Sequence, residues 1–129
     1  MAAFDTNVLV RILAGDDPVQ TKKAEKAFVT HAGDDGVFVS LVVLAEIGWV
    51  LATAYEWDRA TIHGRVLQLV RTRGVEVEDA ELVEEALVAY AGGRADLAAY
   101  LILGRARTTG GKLLTFDRKL AREDGVTLL

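Results

Sequence analysis

Apolar residues recur along this chain in two rhythms, short unbroken runs and longer stripes at helical spacing. Ala2-Ala3-Phe4 is a short apolar run closed by Asp5, which predicts a first buried strand. Asn7 to Leu13 predicts a brief helix. Asp17 before Pro18 marks a helix start, because Asp accepts from free first-turn amides and Pro has no amide to leave unpaired. Ala24, Ala27 and Phe28 give that helix its stripe, and it ends near His31 to Gly33. The turn Asp34-Asp35-Gly36 leads into a strand from Val37 to Ser40, and a very apolar helix from Leu41 to Tyr55 follows with scarcely a linker. Asp58 caps a further helix carrying Ile62, Val66 and Val70 on one face; Gly74 ends it, and Val75 to Val77 reads as a short strand. Ala80 to Ala91 sets Leu82, Ala86, Leu87 and Tyr90 against Glu81, Glu84 and Glu85, an amphipathic helix broken by Gly92-Gly93. A helix from about Asp96 to Thr108, a strand at Leu113-Leu114, a short helix around Arg118 to Arg122 and a last strand over Val126 to Leu129 complete the chain.

Strands that alternate with helices need crossover connections, so the expected fold class is α/β: a mostly parallel central sheet covered on both faces. The 129 residues fit one domain, 1–129, with no repeat, low-complexity tract or linker. In such sheets ligands gather beyond the carboxyl ends of the strands. Asp5, Ser40 and Thr115 to Asp117 all fall there.

Composition narrows the classes. The absence of cysteine removes disulfides and thiolate metal sites and fits a reducing cytosol. No basic segment followed by an apolar run marks a signal peptide, and the expected location is cytoplasmic. Val37 to Tyr55 approaches the roughly 20 residues of a spanning helix, but Glu46 at its centre would be costly in lipid, and a buried strand followed by a buried helix is the better account. A net charge of −4 argues against holding nucleic acid by bulk electrostatics, although fifteen Lys and Arg residues leave room for local basic patches.

Four acids need a reason. Glu46 is the only ionisable side chain from Leu41 to Ala54, on a helix apolar enough to be buried around most of its circumference. An isolated buried carboxylate must be protonated, paired or bound to a cation. Asp5 follows the first strand, Asp96 is the only charge from Ala95 to Gly104, and Asp117 follows the Thr115 strand. Each of these three is equally well explained, taken singly, as a helix cap. Brought together at one sheet edge, four carboxylates would repel unless a cation neutralised them, and hard oxygen ligands suit Mg²⁺ or Mn²⁺. Such a site suits phosphodiester hydrolysis, in which metal polarises the phosphate and activates a water. A metal-free ribonuclease would need His31 and His63 together, and both read as surface residues. Asn7 stands where an aspartyl-phosphate phosphatase needs its second Asp, and no Walker loop, dinucleotide fingerprint or HExxH is present.

Asp5-Thr6-Asn7-Val8-Leu9-Val10-Arg11, Ser40-Leu41-Val42-Val43-Leu44-Ala45-Glu46, Ala95-Asp96-Leu97 and Thr115-Phe116-Asp117-Arg118 resemble the successive motifs of PIN-domain proteins, most closely VapC-type toxins of VapBC toxin–antitoxin pairs. The resemblance covers essentially the whole chain from Asp5. It implies a three-layer α/β/α fold and a Mg²⁺- or Mn²⁺-dependent endoribonuclease acting on RNA such as tRNA or rRNA. It also implies Asp5, Glu46, Asp96 and Asp117 as catalytic acids and metal ligands, with Thr6, Asn7 and Thr115 in support. A homodimer restrained by a VapB-like antitoxin is implied as well. The one departure is Ala99, where many relatives carry a second aspartate one turn beyond Asp96. Arg11, Arg94, Arg118 and Lys119 adjoin the motifs as contacts for RNA phosphates or as ordinary solvated charge. Two other readings stay open: a catalytically idle PIN-like interaction module, and a PIN nuclease of RNA processing outside a toxin–antitoxin pair.

Overall fold

Val37 and Val39 have no solvent exposure, and the strand they form is the centre from which the rest is laid out. The computed structural model describes every residue from Met1 to Leu129. Its elements run β1 (Ala2–Ala3), α1 (Thr6–Ala14), α2 (Pro18–Ala32), β2 (Val37–Val39), α3 (Leu41–Thr53), α4 (Arg59–Val70), β3 (Val75–Val77), α5 (Ala80–Gly92), α6 (Leu97–Thr108), β4 (Leu113–Thr115), a 3-10 turn (Leu120–Arg122) and β5 (Val126–Leu128). This is the α/β class that the alternation implies.

Each α-helix starts the same way. Asp5, Asp17, Ser40, Asp58, Asp79 and Asp96 each accept from the amide three residues on. Those bonds satisfy amides that the helix itself leaves free. At Asp58, hydrogen bonding from Thr61 holds the carboxyl below its ordinary 3.8.

All strand pairings are parallel, as expected, but the single central sheet is in two pieces. β2 lies between β1 and β3, with Ala2 opposite Val37 and Val39 opposite Val77. β4 and β5 pair separately, Leu113 opposite Val126 and Thr115 opposite Leu128. β1 is only two alanines long, and the Ala2 amide to the Gly36 carbonyl at 2.9 Å and the Phe4 amide to the Phe38 carbonyl at 3.1 Å extend its contact with the β2 side.

The largest departure concerns α3. It was expected to be buried nearly all round; instead Leu44, Ile47, Gly48 and Leu51 form one buried face, while Val42 (69%) and Trp49 (61%) are exposed. Glu46 lies on the exposed side, so the chain buries no isolated charge there. The buried face packs against α1, α4 and α6, which cover only that side. Gly48 lets α6 come close, since a Cβ there would lie 3.0 Å from Leu97 Cβ. No helix is long and apolar enough to cross a membrane.

Ile47 has zero exposure, so truncating it leaves a cavity. Ile47→Ala is expected to cost about 2–5 kcal/mol in urea denaturation. Glu46→Ala, on the open side of the same turn, should stay within about 0.5 kcal/mol of wild type.

Candidate active site

The in-register parallel ladder from β1 to β3 brings three strand ends to one edge, and the residues that follow them are Asp5, Ser40 and Glu78. Asp5 Oδ1 accepts from the Val8 amide at 3.2 Å and so starts α1. The next residue ties this edge to α3: the Thr6 hydroxyl donates to Glu46 Oε1 at 2.8 Å. α3 itself begins against two acceptors. Ser40 Oγ takes the Val43 amide at 3.2 Å, and Glu78 Oε1 takes the Leu41 amide at 3.0 Å. Glu78 was not singled out from the sequence, yet the signal was there, since it follows β3 as Asp5 follows β1.

Asp96 and Asp117 meet elsewhere. They line one open cavity of about 380 Å³ together with Arg59, Arg94, Lys119, Tyr90 and Gly48. Asp96 Oδ1 accepts from the Ala99 amide at 2.9 Å and starts α6. Asp117 Oδ1 accepts from the Lys119 and Leu120 amides at 2.9 and 3.2 Å, and Thr115 Oγ1 accepts from the Asp117 amide at 2.9 Å. Thr6 and Thr115 therefore each brace an acid or its turn. Asn7 lines an adjoining cavity with Asp5, Arg11 and Lys23.

The turn before Asp96 is held from two sides. The Tyr100 hydroxyl accepts from the Arg94 and Ala95 amides at 3.1 and 3.4 Å, and a Cβ on Gly93 would collide with that hydroxyl. Arg59 Nη1 donates to the Tyr90 and Ala95 carbonyls at 2.9 and 2.7 Å, with its guanidinium 4.3 Å over the Tyr90 ring. Burial pushes the Tyr90 phenol above its ordinary 10.0; the Arg59 charge opposes this, and Asp96 and Asp58 add to it.

Ala99 explains its own departure from the motif. Its side chain is buried, 8% exposed, whereas Asp96 is exposed, so an aspartate at 99 would carry its charge into packed side chains. Arg11 is not free for a substrate: it binds Gln20 Oε1 at 2.6 Å, the Tyr55 hydroxyl at 3.2 Å and Asp16 at 3.5 Å. Arg94, Arg118 and Lys119 remain exposed. His31 pairs with Asp35 at 2.8 Å on α2 and the turn after it, while His63 is on α4, so the two do not form a catalytic pair.

The donor chemistry, exposed or half-exposed carboxylates, is that of a Mg²⁺ or Mn²⁺ site, but the geometry does not meet it. Thr6, the residue after Asp5, binds Glu46; Asp96 and Asp117 line one cavity; and no three of the acids lie close enough to hold one ion.

An α/β fold of parallel strands with acids at strand ends and helix starts describes a class to which the chain can be assigned by comparison. The family model described as PIN domain matches residues 2–126, and the chain belongs to that family, whose members are generally nucleases. No curated relative matches it. Among solved structures it is similar to a chain described as "Toxin-antitoxin complex from Klebsiella pneumoniae", at 21% identity and a TM-score of 0.38, over 98% of this chain and 96% of that one.

Because Asp96 is both a cap and an acid, its two roles can be separated. Asp96→Ala should lower stability by about 1 kcal/mol in thermal melts, the usual cost of a lost cap. Asp96→Asn keeps an acceptor and should melt near wild type. Equal losses in both would mean that charge, not capping, holds the start of α6.

Proposed function

We propose that this chain is a PIN-type endoribonuclease, the toxin of a type II toxin–antitoxin pair, with Asp5, Glu46, Asp96 and Asp117 as its working acids. The observation that carries the reading is the PIN family match over residues 2–126, together with the position of three of those acids at the first turns beyond β1, before α6 and beyond β4. The toxin assignment is supported by the four motifs at 5–11, 40–46, 95–97 and 115–118. The proposed substrate is RNA, tRNA or rRNA in particular, cut in the cytoplasm. The proposed cofactor is Mg²⁺ or Mn²⁺, which the carboxylates could hold only by standing closer together than they do here, and which would then supply charge neutralisation and polarise the phosphate.

The chain's own residues have definite work. Hydrolysis needs a group to take a proton from the attacking water. Asp96 and Asp117, which line one cavity, each commit Oδ1 to backbone amides and leave Oδ2 without a protein hydrogen bond. Thr6 orients Glu46 in the same way from α1. Arg94 and Lys119 line that cavity, with Arg118 beside Asp117, and offer local positive charge to phosphates on a chain of net charge −4.

Purified protein given total tRNA and rRNA with Mn²⁺ should cleave it to 5′-phosphate and 3′-hydroxyl ends, and EDTA should stop the reaction. Asp96→Asn and Asp117→Asn should each lose about 100-fold or more while remaining folded. Cleavage that persists in EDTA, or that leaves 2′,3′-cyclic phosphate, would sink this mechanism.

A VapB-like antitoxin arm bearing Arg or Lys has the acids as its natural partners. Co-expression with a neighbouring small gene should give a stable complex, built on a homodimer of this chain, that lacks ribonuclease activity. That no three of the acids stand close enough to hold an ion favours one other reading, a catalytically idle interaction module. Under that reading the complex still forms, but the free chain cleaves nothing with any divalent ion.

A further inference from the structure

Arg59 is a half-buried cation with no carboxylate partner in an ion pair; it spends its charge on backbone. Nη1 donates to two carbonyls, one at the end of α5 (Tyr90) and one immediately before Asp96 (Ala95), while the guanidinium lies 4.3 Å over the Tyr90 ring. It thus staples the start of α4 to both ends of the turn that carries Asp96. The Tyr100 hydroxyl holds the same turn through the Arg94 and Ala95 amides. The Ala95 residue is clamped at its amide by Tyr100 and at its carbonyl by Arg59, and the next peptide leads into the Asp96 carboxylate.

We propose that Arg59 is a positioning residue that acts through Asp96: by fixing the Ala95 carbonyl it sets where the Asp96 carboxylate stands in the cavity it shares with Asp117. The proposal rests on the reading of Asp96 as a working acid, but the geometry of the clamp does not depend on it. Charge makes the clamp stronger than a neutral donor would be, because bonds to an ionised donor are worth roughly twice neutral ones. Small displacements matter here, since a misplacement of about 1 Å costs on the order of 100-fold in rate. The interaction with Tyr90 adds rigidity, a cation over a ring being worth more where water is excluded.

The same helix supplies a matched control. Arg65 is also half-buried, its Nη2 donates to the Leu13 carbonyl at 2.7 Å, and it lies 5.6 Å over the Trp57 ring. It does the same kind of structural work without touching the Asp96 turn.

The experiment compares Arg59→Met, Arg59→Lys and Arg65→Met with wild type in three measurements: melting temperature, kcat and KM on RNA, and amide hydrogen exchange across 93–99. Arg59→Met should lose about 100-fold in kcat with KM changed less than about threefold, and exchange should rise at the Arg94, Ala95 and Ala99 amides. Arg59→Lys keeps the charge but replaces the planar guanidinium with a single ammonium on a shorter, more flexible stem, and should fall between Arg59→Met and wild type on both scales. Arg65→Met should melt lower, yet keep wild-type kcat and wild-type exchange at those three amides. Wild-type kcat in folded Arg59→Met, or an equal kcat loss in Arg65→Met, overturns the proposal. If Arg59→Met does not fold, Arg59→Lys decides it: an intermediate kcat and exchange support the clamp, and wild-type values of both overturn it. If wild type cleaves no RNA, the nuclease reading fails by itself. The exchange measurement then still decides whether Arg59 holds the Asp96 turn, and unchanged exchange at Ala99 in Arg59→Met overturns it.

Discussion

The close approach of α3 to α6 at Gly48 and Leu97 is the contact on which the site depends. No ladder joins the three-stranded sheet to the β4–β5 pair, so backbone hydrogen bonding does not set the distance between Asp5 and Asp117. Side-chain packing sets it instead. α3 rises directly from β2 and carries Glu46; α6 starts at Asp96 and packs on β4, which ends two residues before Asp117. Gly48 is where these two halves touch, and the absence of a side chain there lets the Leu97 turn lie against α3. Packed helices resist small displacements because interiors are as dense as organic crystals. They lack the fixed register of a ladder, however, and the acids on the two halves inherit that difference.

Economy of donors explains why carboxylates gather at element ends at all. Asp5 and Asp96 are helix caps, and Asp117 accepts from the two amides that open the turn into Leu120. Each position already calls for a small acceptor, and helix N-termini favour negative charge. A set of acids can therefore be placed at one end of such a fold at little cost in stability, because capping offsets part of their mutual repulsion. Capping and the proposed catalysis are not competing explanations for these residues, because a cap that uses one carboxylate oxygen leaves the other unbound.

The sequence was most legible where local chemistry decides. The Asp17-Pro18 start, the Asp58 cap, the Val75 to Val77 strand and the break at Gly92-Gly93 all stand as expected, because each depends on residues within one turn. Glu46 shows where such reasoning stops. A run as apolar as Leu41 to Ala54 implies burial only if partners surround it, and here helices cover one face and leave Val42 and Trp49 in solvent. The division of the sheet was equally hidden, since nothing in Ala2-Ala3-Phe4 says how far its ladder extends. Glu78 was readable by the same strand-end rule that found Asp5. Arg59 was not, because carbonyls thirty-one and thirty-six residues away carry no trace in the residues around it.

Precision is distributed unequally over the four acids, and the cause is the number of independent constraints on each. Asp96 stands on a turn fixed by Gly48 against Leu97, by the Tyr100 hydroxyl at two amides and by Arg59 at a carbonyl. Glu46 is held by its helix and by one hydroxyl, in a partly solvated bond where water competes. Asp5 is held by its own first turn, and Asp117 by its first turn and the Thr115 hydroxyl that accepts from its amide. The less constrained acids can shift at smaller cost than Asp96. Moving Asp96 would break several buried contacts, whereas the β4–β5 segment, joined to the rest chiefly through α6, can carry Asp117 at the expense of fewer. The fold thus provides one fixed acid, and it is the acid on which the geometry of the others has to be measured.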